Sequence, residues 1–565
     1  MSGNDDKIES GYIGVQEPDV HMNLEPAKPY QVKSPLFREC LAEFLGTMVM
    51  IMFGDGVVAQ VVLSEGTKGE YININLCWGL GVLFGIHVSG GVSGAHLNPA
   101  VTTTLAWFGR MEWRKVPYYV ISQILGAFVA AFIVWAVYYP MFNVIDPEKT
   151  STQGVFATYP YSNDVPVGTC FLTEVVGTAL LMGCIFAIGD ELNKPANPYT
   201  QPGAVALLVV AIGMAFGMNS GYAINPARDF GPRLFSLVAG WGSDVFTLRD
   251  SYFWVPIIGP LLGGPIGAGI YVGLVEHHHP REYKHPLEGH SYLGEPDIVM
   301  MSEPAAQYQI KSPLFREVMA EFLGMLVMMS FGTGVVAQVV LSEGTKGEFV
   351  SINLCWGLAV LFGIHVCGGV SGGHLNPAVT FTLALFGRFP WKKVPFYMSA
   401  QLLAAFCASA IVYSVYSPLI DVIDPTKTTT HGIFATYPYS DKVPVGTCFL
   451  TEVVGTALLV GCLFAIGDEM NKPASPFSQP GAVALLVVAI GMSFGMNTGY
   501  AINPARDLGP RLFTLCAGWG TPVFTLRDAY FWVPVVAPLL GGPIGAGLYV
   551  GLVEKHHPCE PLMNI

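Results

Sequence analysis

Along the chain, apolar runs long enough to cross a bilayer alternate with short polar loops. In the first half they cover Pro35 to Leu63, Ile72 to Val88, Val116 to Tyr139, Val167 to Ile188, Gly203 to Met218 and Tyr252 to Val275. A helix needs roughly 20 apolar residues to traverse the hydrocarbon layer, so the pattern predicts six spans, and the second half repeats it. Composition agrees: 52% of the 565 residues are hydrophobic and 12% charged, with mean hydropathy +0.48, whereas soluble domains carry roughly a quarter charged residues. The net charge of −13 sits largely in tails and loops, where it serves solubility. No nucleic-acid partner is expected. Met1 to Glu25 lacks a basic start and an apolar run, so the first span is expected to direct insertion itself. The 11 cysteines form no CxxC pair and read as small core residues.

The halves are copies. Asn98 and Asn376 lie in matching HLNPAVT segments, Asn225 and Asn503 in matching YAINPARD segments, each pair 278 residues apart. The register holds from Ser34-Pro-Leu-Phe-Arg-Glu to His278-His279-Pro280, with no net insertion. The recurring His-His-Pro makes the His277 to His279 run an inherited tail rather than a metal site. The chain accordingly divides into a tail at 1–30, a first domain at 31–278, a linker at 279–308, a second domain at 309–556 and a tail at 557–565. Six spans return the chain to its starting side, so both copies face the same way. Lys28, Lys33, Arg38, Arg110, Arg114 and Lys115 place that side in the cytoplasm, opposite Glu65, Glu70, Asp146, Glu148 and Asp164.

An older repeat lies inside each copy. Ala42-Glu43-Phe-Leu-Gly-Thr leads to Asn98, and Thr173-Glu174-Val-Val-Gly-Thr leads to Asn225, three spans later. An odd number of crossings inverts the second half, so two short helices enter from opposite faces and meet at mid-membrane. Interrupted backbone at that depth is tolerated only around a protein-lined or water-filled cavity. The expected fold is all-α: two domains, each of six transmembrane helices plus two re-entrant half-helices.

The chemistry of Asn-Pro-Ala explains the meeting point. Asparagine caps the first turn and proline suits the first helical position. With the oxygen engaged, the amide NH2 groups of Asn98, Asn225, Asn376 and Asn503 are expected to donate into the lumen. Pro99, Pro226, Pro377 and Pro504 start the half-helices, and Ala100, Ala227, Ala378 and Ala505 keep the turns narrow. Each half-helix points about half a positive charge at the centre, which opposes cations. Backbone carbonyls of Gly94, Ala95, His96, Leu97, Gly221, Ala223 and Ile224 are expected to line the path, as are those of Gly372, Gly373, His374, Leu375, Gly499, Ala501 and Ile502.

With SGAHLNPAVT at Ser93 to Thr102 and NSGYAINPARDFGPRLF at Asn219 to Phe235, and near-identical counterparts in the second copy, the chain resembles the aquaglyceroporin branch of the major intrinsic protein (aquaporin) family. The resemblance covers nearly all of both copies. It implies a passive channel for glycerol, water and other small neutral solutes such as urea, embedded in a lipid bilayer of the plasma membrane, with no cofactor and no metal. It places a selectivity filter at Trp78, Gly213, Tyr222 and Arg228, and at Trp356, Gly491, Tyr500 and Arg506, with glycine leaving room for the tyrosine ring. An arginine at membrane depth is expensive unless it faces a cavity or partner. Relatives assemble as four channels, so two tandem chains are expected to give four pores as a homodimer.

Other residues receive structural readings. Asp229 and Asp507 are expected to brace a loop, and Glu43, Glu174, Glu321 and Glu452 to accept hydrogen bonds from the re-entrant segments. Tyr118, Tyr119, Trp254 and Trp532 read as headgroup-level anchors. His96 and His374 read as satisfied loop histidines, a pH gate being the alternative, and His87 and His365 are weaker candidates still. Asp55, which corresponds to Thr333, is read as hydrogen-bonded near the outer mouth, with altered solute preference as the alternative. A secondary transporter also uses inverted repeats and broken helices, but no further membrane carboxylates mark a coupling-ion route. Nothing supports an enzyme.

Overall fold

The computed structural model describes residues 32–279, 310–471 and 473–556. The tails expected at 1–30 and 557–565 lie outside the described residues, and so does the linker at 279–308 apart from His279. The first copy comprises α1 Pro35–Leu63, α2 Tyr71–Ser93, α3 Pro99–Trp107, α4 Val116–Ile145, α5 Val167–Ile188, α6 Gln201–Ser220, α7 Pro226–Ser236, α8 Asp244–Ser251 and α9 Val255–Leu274. The second comprises α10 Pro313–Leu341, α11 Phe349–Ser371, α12 Pro377–Leu385, α13 Val394–Ile423, α14 Val445–Ile466, α15 Gln479–Thr498, α16 Pro504–Thr514, α17 Pro522–Ala529 and α18 Val533–Leu552. Among the described residues twelve helices are long and apolar enough to cross a membrane, and the chain is an integral membrane protein.

Local signals set the ends. Ser34 accepts from the Phe37 amide with Pro35 opening α1, and Ser312 does the same for α10. Glu70 and Asn73 form a capping box on α2. At the other end, Gly94 stops α2 with φ 83° and Gly221 stops α6 with φ 76°, a left-handed conformation that glycine adopts without penalty. The sequence pattern ends the third span at Tyr139, before Pro140, but α4 continues to Ile145. Buried Phe142 holds that extra turn, stacked on Phe156 at 5.5 Å and edge-on to Trp241.

Within each copy the halves interlock. Helix α1 packs on α2 and α4 as α5 packs on α6 and α9, and the halves meet where α2 lies on α6. Half-helix α3 rests on α9, and α7 on α4, so each short helix is seated against a span of the opposite half. Close approach requires small residues. A Cβ at Gly263 would collide with the Val175 backbone, and one at Gly267 with that of Ala179, so α9 lies directly on α5.

The two copies also pack together. Helix α6 meets α10 and α11, and α5 meets α11 and α13. Gln338 donates to the Gly213 carbonyl at 3.1 Å and accepts from the Met218 amide at 2.9 Å. The Tyr416 hydroxyl donates to Ala215 O at 2.7 Å, and Asn219 to Val415 O at 2.8 Å. Towards the opposite end, Asn193 donates to Val366 O and accepts from Gly369 N, both at 2.8 Å. Cover is therefore unequal: 89% of the apolar window of α6 is buried against 39% for its counterpart α15, and 78% for α10 against 39% for α1.

Replacing Gly267 by Val should force α5 and α9 apart. The expected cost is of the order of 3 kcal/mol, read as a lower thermal unfolding midpoint of the detergent-solubilised protein, whereas Gly273→Val, where a Cβ meets nothing within 4 Å, should leave the midpoint unchanged.

Candidate functional site

Each re-entrant segment is irregular backbone held by one buried glutamate. Glu43 accepts from the amides of His96 at 2.9 Å and Leu97 at 2.8 Å, from Ser93 Oγ at 2.6 Å and from Gln123 Nε2 at 2.8 Å. Glu174 takes the amides of Ala223 at 2.8 Å and Ile224 at 2.6 Å, with Ser220 Oγ at 2.7 Å. Glu321 accepts from Leu375 N, Ser371 and Gln401, and Glu452 from Ala501 N and Ile502 N. In a trans peptide the carbonyl points opposite to its N–H. The amides of His96 and Leu97 face Glu43, so the carbonyls of Ala95 and His96 are turned away from it, and those of Tyr222 and Ala223 are turned away from Glu174. Left-handed φ values at Ala95 (53°), Leu97 (53°), Tyr222 (38°) and Ile224 (42°) accompany this arrangement, as does strain of roughly 1–3 kcal/mol per residue.

The asparagines do two things. Asn98 Oδ1 caps Ala100 N at 2.8 Å, and Asn225 Oδ1 caps Ala227 N at 3.0 Å and Arg228 N at 3.3 Å. Their NH2 groups are not left wholly to the lumen as the sequence reading expects. Asn98 donates one proton to Ile224 O and Asn225 one to Leu97 O, both at 2.9 Å, which ties the halves together. Asn376 and Asn503 donate likewise to Ile502 O and Leu375 O at 2.8 Å. One N–H per asparagine remains, and the carbonyls of Leu97, Ile224, Leu375 and Ile502 are already engaged.

A cavity of about 70 Å³ is lined by Asn98, Asn225, Trp78, Tyr222 and Arg228, together with Ala95, His96, Leu97, Ala223 and Ile224. Its counterpart, about 300 Å³, is lined by Asn376, Asn503, Trp356, Tyr500 and Arg506, and by Gly372, Gly373, His374, Leu375, Ala501 and Ile502. Gly213 and Gly491 do not border these spaces. A Cβ on either would lie 2.7 Å from the Cζ of Tyr222 or Tyr500, so the tyrosine ring occupies the place a side chain would take. Gly94, Gly221 and Gly499 also stand off the cavities, at helix ends. The guanidinium of Arg228 lies 4.3 Å from the Trp78 ring, and that of Arg506 4.6 Å from Trp356.

The arginines are set by the loop that follows the third span. Burial pushes the Asp146 carboxyl up, but the amides of Thr150, Ser151 and Thr152 and the Thr152 hydroxyl outweigh it and hold the group below the usual carboxylate range. That loop presents Phe156 O 3.4 Å from Arg228 Nη1. It is fastened again at Thr158, whose amide and hydroxyl donate to Asp229 Oδ2, both at 2.7 Å. Arg233 completes the clamp, with Nε 2.7 Å from Asp229 Oδ1. Asp507, Thr436 and Arg511 repeat it.

Three expectations change. Tyr119 is no interfacial anchor: it is buried, donating from its hydroxyl within reach of Glu39 and Ser93 O, while Tyr118 and Trp254 remain exposed. Asp55 is not hydrogen-bonded, since neither carboxylate oxygen has such a partner, and it stands 3.9 Å from Arg228 instead. The histidine tail is partly structural, His279 Nε2 meeting Asp190 at 2.6 Å. His96 Nδ1 lies 3.1 Å from Thr102 Oγ1, whose single proton goes to Asn98 O while Gln123 donates to the same oxygen. His374 sits identically against Thr380, and His365 Nδ1 contacts Lys194 O. Among the described residues no three His, Cys, Asp or Glu side chains cluster as metal ligands.

The family description "Major intrinsic protein" matches residues 31–271 and again 309–549. The chain belongs to this family. It lies on the aquaglyceroporin branch and carries two family domains in tandem, a channel architecture rather than an enzyme. Over 255 residues it is 44% identical to aquaporin-9 of Homo sapiens, covering 44% of this chain and 86% of that one. Aquaglyceroporin-2 of Rhizophagus irregularis is 44% identical over 265 residues, 46% of this chain and 82% of the relative. The solved aquaglyceroporin of Plasmodium falciparum is 35% identical, with 42% of this chain and 97% of that one covered at a TM-score of 0.40.

In this major intrinsic protein the sequence reading misses residues that act through others. Gln123 and Gln401, polar and mid-span in both copies, join the glutamate to the half-helix threonine, and their position inside an apolar run was the available signal. The Phe156 and Phe434 carbonyls had none, because any loop residue supplies one. Glu43→Leu leaves the His96 and Leu97 amides unpaired at about 1–3 kcal/mol each. Thermal unfolding of the solubilised protein should show a clear fall in midpoint, larger than for Glu43→Gln, which retains an acceptor oxygen.

Proposed function

We propose that the chain is a passive channel for glycerol, water and other small neutral solutes such as urea, with one pore in each copy. The observation that carries this reading is that each cavity holds its own complete set: two capping asparagines, two aromatic rings and one arginine. Trp78 and Tyr222 offer an apolar wall to the carbon chain of a polyol, and Arg228 offers N–H donors to its hydroxyl oxygens. Trp356, Tyr500 and Arg506 do the same in the second copy. The turned carbonyls of Ala95, His96, Tyr222 and Ala223 accept the hydroxyl protons, and the remaining N–H of Asn98 and Asn225 donates at the centre. A solute thus exchanges hydrogen bonds stepwise without being held. The half-helix dipoles and the arginine oppose ions and protons, as is known for aquaporin-type pores. Relatives named for glycerol or water passage support the same reading.

The flanking regions and setting belong to this proposal: channel domains at 31–278 and 309–556, with tails and linker in the cytoplasm of a plasma-membrane protein, an orientation supported by the basic loops. So does the assembly. Helices α5 and α6 cover α10, α11 and α13 within the chain, while among the described residues the equivalent faces on α14 and α15 and on α1, α2 and α4 lack such cover. A second chain closes the ring by repeating the same register, with Gln60 in the role of Gln338, Tyr138 in that of Tyr416 and Gly491 in that of Gly213. Four pores result.

Two measurements test these statements. In vesicle swelling, Gly213→Trp and Gly491→Trp should each remove about half the glycerol flux and together abolish it; complete loss from either alone would refute independent pores. The mass of the detergent-solubilised complex should correspond to two chains, and Gln60→Arg should reduce it to one.

A further inference from the structure

The filter residues recur in both copies, but one charge beside them does not, and the second cavity alone is also lined by Lys194 and Arg388. Asp55 on α1 occupies the position of Thr333 on α10. It is fully buried, and neither oxygen accepts a hydrogen bond. Its Oδ1 lies 3.9 Å from Nη1 of Arg228. The neighbouring carboxylate, Asp229, is taken up by Arg233 and Thr158. Asp55 is therefore the one ion partner of Arg228 among the described residues. In the second copy Thr333 turns its hydroxyl back to Met329 O at 2.7 Å, and Arg506 has no ion partner among the described residues. The arginines sit differently as well. Arg506 Nη1 is 3.1 Å from Phe434 O, whereas Arg228 stands 3.4 Å from Phe156 O and closer to its tryptophan ring.

A carboxylate buried without donors is costly, and the second copy forms the same elements with a threonine in its place. Asp55 contributes nothing to local hydrogen bonding that would account for that cost. With no exposed surface it cannot touch a solute, so it acts through Arg228. A guanidinium at a constriction sets an electrostatic barrier to cations. A carboxylate within 4 Å reduces the field of that pair, beyond a few ångströms, from that of a charge to that of a dipole. We infer that Asp55 is a positioning residue for charge selectivity. In its ionised form it supplies a counter-charge behind Arg228, so the first pore then excludes small cations less strictly than the second. The two copies are thus two filters of the same four residue types and unlike charge. This rests on each copy holding its own pore, and it adds a distinction between them.

The guanidinium ion probes it, being small, planar and charged at every working pH. Fluxes of guanidinium and glycerol are measured in proteoliposomes and expressed as a ratio, so that glycerol reports an intact, open pore. In a chain whose second pore is closed by Gly491→Trp, Asp55→Thr and the near-isosteric Asp55→Asn should each lower the ratio roughly tenfold. In a chain whose first pore is closed by Gly213→Trp, Thr333→Asp should raise it by a similar factor. Should a closed variant fail to insert, the same substitutions in the otherwise unaltered chain should move the ratio severalfold in the same directions. Unchanged ratios with glycerol flux preserved would overturn the inference. So would an Asp55→Asn protein that behaves as wild type, because shape rather than charge would then be at work. Absence of glycerol flux from one singly closed chain would instead defeat the reading of one pore per copy, leaving the ratio in the unaltered chain to judge Asp55.

Discussion

Everything in this molecule depends on keeping irregular backbone alive at the depth of a bilayer. An unpaired amide there costs several kcal/mol, and each re-entrant segment carries several. One glutamate per half meets the demand, gathering two amides and a serine hydroxyl at Glu43 and again at Glu174. The same bonds orient the peptide planes, because fixing an N–H fixes the carbonyl behind it. Solvation of the chain and construction of the path are one event.

The asparagines extend that economy across the inverted halves. Each oxygen starts a half-helix while one proton of its amide reaches the last carbonyl of the opposing loop. With α3 seated on α9 and α7 on α4, neither half completes its centre alone. The close α5–α9 contact through Gly263 and Gly267 serves the same end by fixing where the seat lies.

Much of this was readable in the residues. Hydropathy located the spans, the two 278-residue offsets revealed the tandem copies, and Asn-Pro-Ala marked the half-helix starts at Asn98 and Asn225. What stayed hidden depends on partners remote in the chain. The carbonyls of Leu97 and Ile224 look free until the asparagine 128 or 126 positions away is seen to claim them. Tyr119 has the composition of an anchor and the burial of a core residue, a difference of helix face that a uniformly apolar span does not encode. Asp55 invited a hydrogen-bonding assignment because sequence does not show that its donors are missing.

The bond from Gln338 to Gly213 carries a meaning of its own. A side chain of the second copy reaches the backbone of the first at the helix beneath the Tyr222 ring, so the copies are fitted to each other as a pair. A substitution at Gln338 therefore removes two bonds from the backbone of the other copy, at Gly213 O and Met218 N. Joined by a peptide chain, the two copies are also made in strict one-to-one ratio, whatever the amount of protein a cell makes.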